Sequence, residues 1–215
     1  MNREYRRAQA EALRGIREVR SFPSSGLELR QATNGTLTLS GWASVTERSY
    51  RVGWFDEIVC AGAFAKTLSE RPDVQLLVNH SGLPLARTRA NTLRLEEDDR
   101  GLRVNADLNG DDPDVQRLAP KVARGDIDQM SFGFRVIKQD WEYAEDQPDP
   151  DARDTRWITE ISLDRGDVSV VNYGANPDTS FQINDLHPTP TRELQYVDET
   201  VTDEATQRRP KLFDY

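Results

Sequence analysis

Apolar positions change period along the chain, and each change predicts an element. Over residues 2–20, Tyr5, Ala8, Ala12, Ile16 and Val19 recur at spacings of three and four, which predicts a short amphipathic helix. Its six Arg against three Glu make it the basic end of the chain. It either lies against the protein's own β domain or forms a partner-binding arm. Residues 21–26, with Pro23, break the pattern. From Thr36 the period becomes two, with Leu37, Leu39, Ala43 and Val45 marking half-buried strand. Residues 61–69 read as a short helix ended by Pro72, and Val74 to Val78 as a strand delivering Asn79 and His80 at its end. Alternation on both sides of residues 98–101 predicts a hairpin from Leu93 to Leu108. Pro113 after Asp112 and the stop at Gly125 predict a helix over 113–124.

The second half continues in the strand period. In residues 130–137 (MSFGFRVI), Phe132, Phe134 and Val136 share one face and Ser131 takes the other. Seven acids against one Arg, with two prolines, make Asp140 to Asp154 a solvated loop. Two further strands, Trp157 to Leu163 and Val168 to Val171, close the domain, and apolar density falls away after Asn176-Pro177. These elements predict a mainly β, α+β fold: a compact β barrel flanked by two or three helices. The expected organisation is an N-terminal helix and linker over 1–35, the domain over 36–183 and a flexible tail over 184–215.

Charge and composition narrow the functions this fold could serve. A net charge of −9 argues against nucleic-acid binding, which relies on clustered Lys and Arg. No signal-peptide stretch or run of about 18 apolar residues is present, so an unexported chain with no membrane partner is expected. The single cysteine, Cys60, excludes an internal disulfide, and no ligand set for a metal or other cofactor stands out.

Two residues stand out as chemistry. Only two histidines are present: His187 before Pro188 in the tail, and His80 in NHSG, where Gly82 can turn the chain away. Histidine is the usual general base near neutral pH. A lone strand-end histidine is nonetheless more often structural, so His80 needs partners. Ser131 is the best-placed serine: large apolar neighbours flank it, and Gly133 would let a substrate backbone approach, although a serine on the polar face of a half-buried strand is the commoner case. GxSxG is absent, so the nucleophile elbow of α/β hydrolases is not expected. Asp167, in RGDVSVV, stands just before a strand, either as a turn residue or as the carboxylate that orients a histidine. Cys60 is the rival nucleophile, but small and apolar neighbours in IVCAGAF should raise its thiol pKa.

Several segments together carry a resemblance: GWASV (Gly41 to Val45), FDEIVCAGAF (Phe55 to Phe64), VQLLVNHSGLPLART (Val74 to Thr88), TLRLEEDDRGLRVNADL, RGDIDQMSFGFRV (Arg124 to Val136) and DVSVVNYGANPDTS (Asp167 to Ser180). In this order, over about 140 residues, they resemble the prohead (capsid-maturation) serine proteases of tailed bacteriophages, a family like the herpesvirus assembly proteases in fold. The resemblance implies a barrel ringed by helices and an endopeptidase that cleaves scaffold or capsid-protein segments. It would act inside the immature capsid, in the host bacterial cytoplasm. By position it implies Ser131 as nucleophile and His80 as base. It implies Asp167 as the third member, at a position where the family usually has Glu, one methylene longer; the herpesvirus enzymes use a second histidine instead, for which only His187, in the expected tail, is available here. The substrate is then a capsid-protein precursor or scaffold protein, with self-cleavage and self-association also open. The alternative is a catalytically inactive internal scaffold or core protein of the same fold.

Overall fold

A computed structural model of the chain describes residues 3–23, 26–31, 36–147 and 151–172. The reading of 184–215 as a tail, and His187 with it, lies outside them. The described chain is mainly β with a few helices: α1 (Arg3–Ala12), β1 (Arg17–Pro23), β2 (Glu28–Gln31), β3 (Leu37–Val45), β4 (Ser49–Val52), β5 (Phe55–Val59), α2 (Ala65–Ser69), β6 (Gln75–Val78), β7 (Ser81–Arg87), β8 (Leu93–Glu97), β9 (Gly101–Leu108), α3 (Pro113–Ala123), β10 (Gln129–Glu142) and β11 (Thr155–Val171). One sheet runs β1-β10-β11-β5-β4, with β6 added to β11 and β7 to β6; the second runs β2-β3-β9-β8. Among the described residues no strand pairs the two sheets, so the expected closed barrel is replaced by two open sheets. Alternation shows which side of a strand is buried; closure depends on tilt and register, which it does not encode.

The inner faces of both sheets meet in one core. Leu39, Ala43, Val104 and Ala106 from the second sheet join Phe132, Phe134, Val168 and Val170 from the first, all essentially without exposed surface. Phe132 and Phe134 stack with ring centroids 4.4 Å apart, so the alternation of MSFGF is used as the sequence reading expects. α3 begins where predicted. Asp112 accepts the Asp114 amide proton at 2.8 Å, and Pro113 occupies the first helical position, where an N–H is not needed.

The N-terminal reading is corrected in two ways. The helix ends at Ala12, with Gly15 at φ +72 in the turn that follows, and residues 17–23 form a strand paired antiparallel with β10. The helix also turns a different face inward. Tyr5 is 54% exposed, whereas Ala10 and Leu13 are buried, and Leu13 packs with Val52 and Phe55 against the chain's own sheet. The strand escaped notice because its inward positions include Glu18 and Arg20, both buried. They are buried because they are paired. Arg20 bonds Glu57 at 2.7 and 2.9 Å and Glu18 at 2.6 Å, while Arg156, wholly buried, bonds Glu18 at 2.7 and 2.8 Å and Glu57 at 2.9 Å. Burial works against the charge on Glu57, but Arg20 and Arg156 hold its carboxyl below the usual range.

The acidic loop and the last two strands also differ from expectation. β10 continues to Glu142, and Trp141 stacks on Trp54 with centroids 5.6 Å apart, so the loop begins later than Asp140. Asp154 is buried and accepts the Ala144 amide proton at 2.8 Å; residues 148–150 lie outside the described ones. The two closing strands are one, β11. Its first part pairs in parallel with β5 and its last part with β6, and its register against β10 jumps from Ser162↔Arg135 to Asp167↔Gly133.

Candidate active site

Three strands and one turn bring the sequence-selected residues together. Val78 pairs with Ser81, leaving Asn79 and His80 as a two-residue hairpin turn between β6 and β7. Their φ values are +51 and +57, the left-handed pair of a type I′ turn, which normally takes Asn-Gly. Histidine there costs about 1–2 kcal/mol relative to a right-handed conformation. Three hydrogen bonds over-determine the turn: Asn79 N–H to the Val170 carbonyl at 3.0 Å, Asn172 N–H to Asn79 Oδ1 at 3.0 Å, and His80 N–H to Ser169 Oγ at 3.2 Å. The strained residue is the functional candidate.

Ser131 lies on β10 between β1 and β11, opposite Ser21 on one side and Ser169 on the other. Asp167 reaches the same face because β11 makes an excursion at residues 163–166 before rejoining the ladder. Arg165 there has φ +56 and donates its N–H to the Asp73 carbonyl at 3.1 Å. Gly166 packs so closely on the Gly133 carbonyl that a Cβ would overlap it. With the backbone brought this close, the Asp167 carboxylate lies within hydrogen-bond distance of the His80 ring.

His80 bridges the other two side chains. Its Nδ1 is 2.5 Å from Asp167 Oδ2 and its Nε2 is 2.7 Å from Ser131 Oγ. Asp167 Oδ2 also accepts from Ser169 Oγ at 2.7 Å, and Oδ1 is bound by the Arg17 guanidinium. Burial pushes the Asp167 carboxyl pKa up, but the hydrogen bond and charge of His80, then Ser169 and Arg17, bring it below the ordinary range. A carboxylate so held fixes the proton on Nδ1 and leaves the Nε2 lone pair facing the serine. The Ser131 hydroxyl has a second acceptor, the Arg20 carbonyl on β1 at 2.8 Å, and Ser131 itself is 0% exposed. Chemically, the arrangement can take a proton from Ser131 and stabilise the resulting imidazolium.

The other candidates fall elsewhere. Cys60 is half-buried, and burial followed by Glu47 and Asp140 pushes its thiol pKa up, which disfavours a thiolate nucleophile. The space beside Gly133, expected to admit substrate backbone, is occupied: a Cβ there would stand 2.5 Å from Arg17 Nη2 and 2.7 Å from Asp167 Oδ1. Among the described residues no group of three His, Cys, Asp or Glu side chains is placed to hold a metal ion. Nor is any described helix long and apolar enough to cross a membrane.

A cleft of about 300 Å³ lies beside the turn, with Val78, Asn79, Leu83, Leu118, Lys121 and Asn172 among its walls. Sequence reasoning missed Arg17, Ser169 and the Arg20 carbonyl. Ser169 had a signal, since it interrupts the valines of VSVV as Ser131 interrupts the phenylalanines of MSFGF. Arg17 had none.

Residues 25–193 match the family model described as caudovirus prohead serine protease. Neither the curated proteins nor the solved structures contain a match to the chain.

Proposed function

The chain belongs to the caudovirus prohead serine proteases, and from that membership we propose that it is the endopeptidase that cuts scaffold or capsid-protein segments inside the prohead. In this reading Ser131 is the nucleophile, His80 its base and Asp167 the carboxylate that orients His80. The observation carrying it is the single imidazole that meets Ser131 Oγ at 2.7 Å and Asp167 at 2.5 Å. Both distances suit proton transfer and tautomer control. Ser131 Oγ attacks the scissile carbonyl as its proton passes to Nε2, and the imidazolium then protonates the leaving amine. Asp167 remains ionised and holds Nδ1–H throughout.

The protease also removes part of its own C-terminal tail, between Phe181 and Tyr215. That segment holds six acids, four bases and three prolines after His187, a composition poor in apolar side chains. Co-expression with the capsid precursor, followed by mass spectrometry of new termini, tests both substrates. Wild-type chain should cut the precursor and lose Tyr215, whereas Ser131→Ala and His80→Ala should do neither. Processing by Ser131→Ala at the wild-type rate would overturn the assignment.

One observation favours a second reading, an inactive internal core protein: Ser131 has no exposed surface, and a nucleophile must touch its substrate. A fluorophosphonate probe separates the two. Covalent capture of Ser131 requires both access and an activated hydroxyl.

A further inference from the structure

We propose that Arg17 is a positioning residue for this reaction, fixing the carboxylate that holds His80; the inference rests on the assignment of Ser131, His80 and Asp167 above. Asp167 is bound at both oxygens. Oδ2 takes His80 Nδ1 and Ser169 Oγ, and Oδ1 takes the Arg17 guanidinium from β1. With both oxygens engaged from different strands, the carboxylate cannot rotate about its Cβ–Cγ bond without breaking a charged hydrogen bond. The imidazole plane is set through it.

Gly133 supplies an independent observation. Its φ lies outside the left-handed range, so the backbone does not require glycine there. Space does: a Cβ would stand 2.5 Å from Arg17 Nη2 and 2.7 Å from Asp167 Oδ1. The glycine of MSFGF therefore makes room for the Arg17–Asp167 pair. The neighbours of Arg17 also fix its place, since Glu18 is locked to buried Arg156 at 2.7 and 2.8 Å. An exposed ion pair would carry little weight. Here the Arg17 side chain is 43% exposed but that of Asp167 only 5%, so the interaction fixes a buried group.

Arg17 also bears on the charge of that carboxylate. The charged or titratable groups in contact with Asp167 are Arg17 from β1 and His80 from the turn; β11 contributes the Ser169 hydroxyl, and β10 presents Ser131 to the other imidazole nitrogen. The Arg17 cation shares the Asp167 carboxylate with the His80 ring and helps hold that carboxyl below the ordinary range. Removing it takes one positive charge from the site and should move the acid limb of the labelling profile upward in pH. Loss of orientation should slow the plateau rate by about 10- to 100-fold.

The experiment measures the rate of fluorophosphonate labelling of the full chain between pH 5 and 9, with melting curves to verify folding. Arg17→Gln should show both the slower plateau and the shifted limb. Arg17→Lys should restore the limb and only part of the plateau, because an ammonium keeps the charge but not the planar fork. Gly133→Ala, which retains the arginine but fills its place, should move rate and limb in the same direction as Arg17→Gln. A folded Arg17→Gln with wild-type rate and limb would overturn the proposal, as would a folded Gly133→Ala with both unchanged should Arg17→Gln fail to fold. Wild-type chain that is not labelled at Ser131, or Ser131→Ala labelled equally fast, would instead overturn the assignment beneath it.

Discussion

The left-handed conformation of His80 makes a stability prediction that is independent of any substrate. Replacing His80 by Gly turns Asn79-His80 into Asn-Gly, the favoured type I′ pair, whereas Ala keeps the steric penalty of φ +57. That penalty is about 1–2 kcal/mol for a residue with a Cβ, offset by about 0.5–1 kcal/mol for the greater freedom of glycine in the unfolded chain. On the central values His80→Gly should thus be more stable than His80→Ala by about 0.75 kcal/mol. No second effect obscures the comparison. In either variant Asp167 keeps Arg17 and Ser169, and the Ser131 hydroxyl keeps the Arg20 carbonyl, so neither leaves these buried groups without partners.

Both variants also lack the proposed base, so self-cleavage does not intrude on the measurement. Urea unfolding followed by tryptophan fluorescence should place His80→Gly at the higher midpoint with equal slope, and thermal melting should separate the two by about 2–3 °C. His80→Gly, without the proposed base, would then rank as the better folder of the two variants. Equal midpoints, or Ala above Gly, would refute the reasoning, because the turn would then carry no left-handed strain.

Two other outcomes follow from the charged groups. Arg156→Met should destabilise the fold by about 3–5 kcal/mol in the same assay, since among the described residues it leaves buried Glu18 and Glu57 with Arg20 as their one shared cation, the Tyr50 hydroxyl adding a neutral bond to Glu57; a loss under about 1 kcal/mol would contradict that account. Burial raises the Asp98 pKa, but the Trp42 indole N–H and the Arg100 and Gly101 amides win and lower it. A lowered folded pKa gives stability that is present above the unfolded value, about 3.9, and is lost as pH falls through the folded one. Asp98→Asn should therefore flatten the decline in unfolding free energy below about pH 4, and an unchanged slope would rule Asp98 out as its source.

What the sequence revealed depended on whether a position declared its surroundings. His80 was legible because an apolar run ended at it before a glycine, and Ser131 because it stood out of phase with Phe132 and Phe134. Asp167 was legible as a carboxylate at a strand start, but its reach depended on how closely Gly166 meets Gly133, which no periodicity expresses. β1 was hidden because polarity usually marks solvent, and here Glu18 and Arg20 are buried by mutual pairing. The split reading of β11 followed the Asp164-Arg165-Gly166 punctuation faithfully; the strand resumes beyond it because Asp167 to Val170 pair with β6. The acidic loop was overextended for a related reason. Trp141 lies among acids in sequence but among Trp54 and Phe55 in space.

β1 therefore joins stability to chemistry. Residues 17–23 precede the matched span of 25–193, yet they contribute two groups to the site: the Arg17 guanidinium on Asp167 and the Arg20 carbonyl on the Ser131 hydroxyl. The hydroxyl has one proton and two acceptors, Nε2 at 2.7 Å and the carbonyl at 2.8 Å. In the proposed mechanism only transfer to Nε2 generates the attacking oxygen, so the Arg20 carbonyl competes with the base for that one proton. β1 is laddered to β10 over Arg17–Pro23, and the buried pairs of Glu18 and Arg20 with Arg156 and Glu57 tie it to β11 and β5 as well; rearranging them would leave charges unpaired in the interior. The ion network that disguised β1 as surface thus anchors the same strand that presents the Arg20 carbonyl to Ser131 and the Arg17 guanidinium to Asp167.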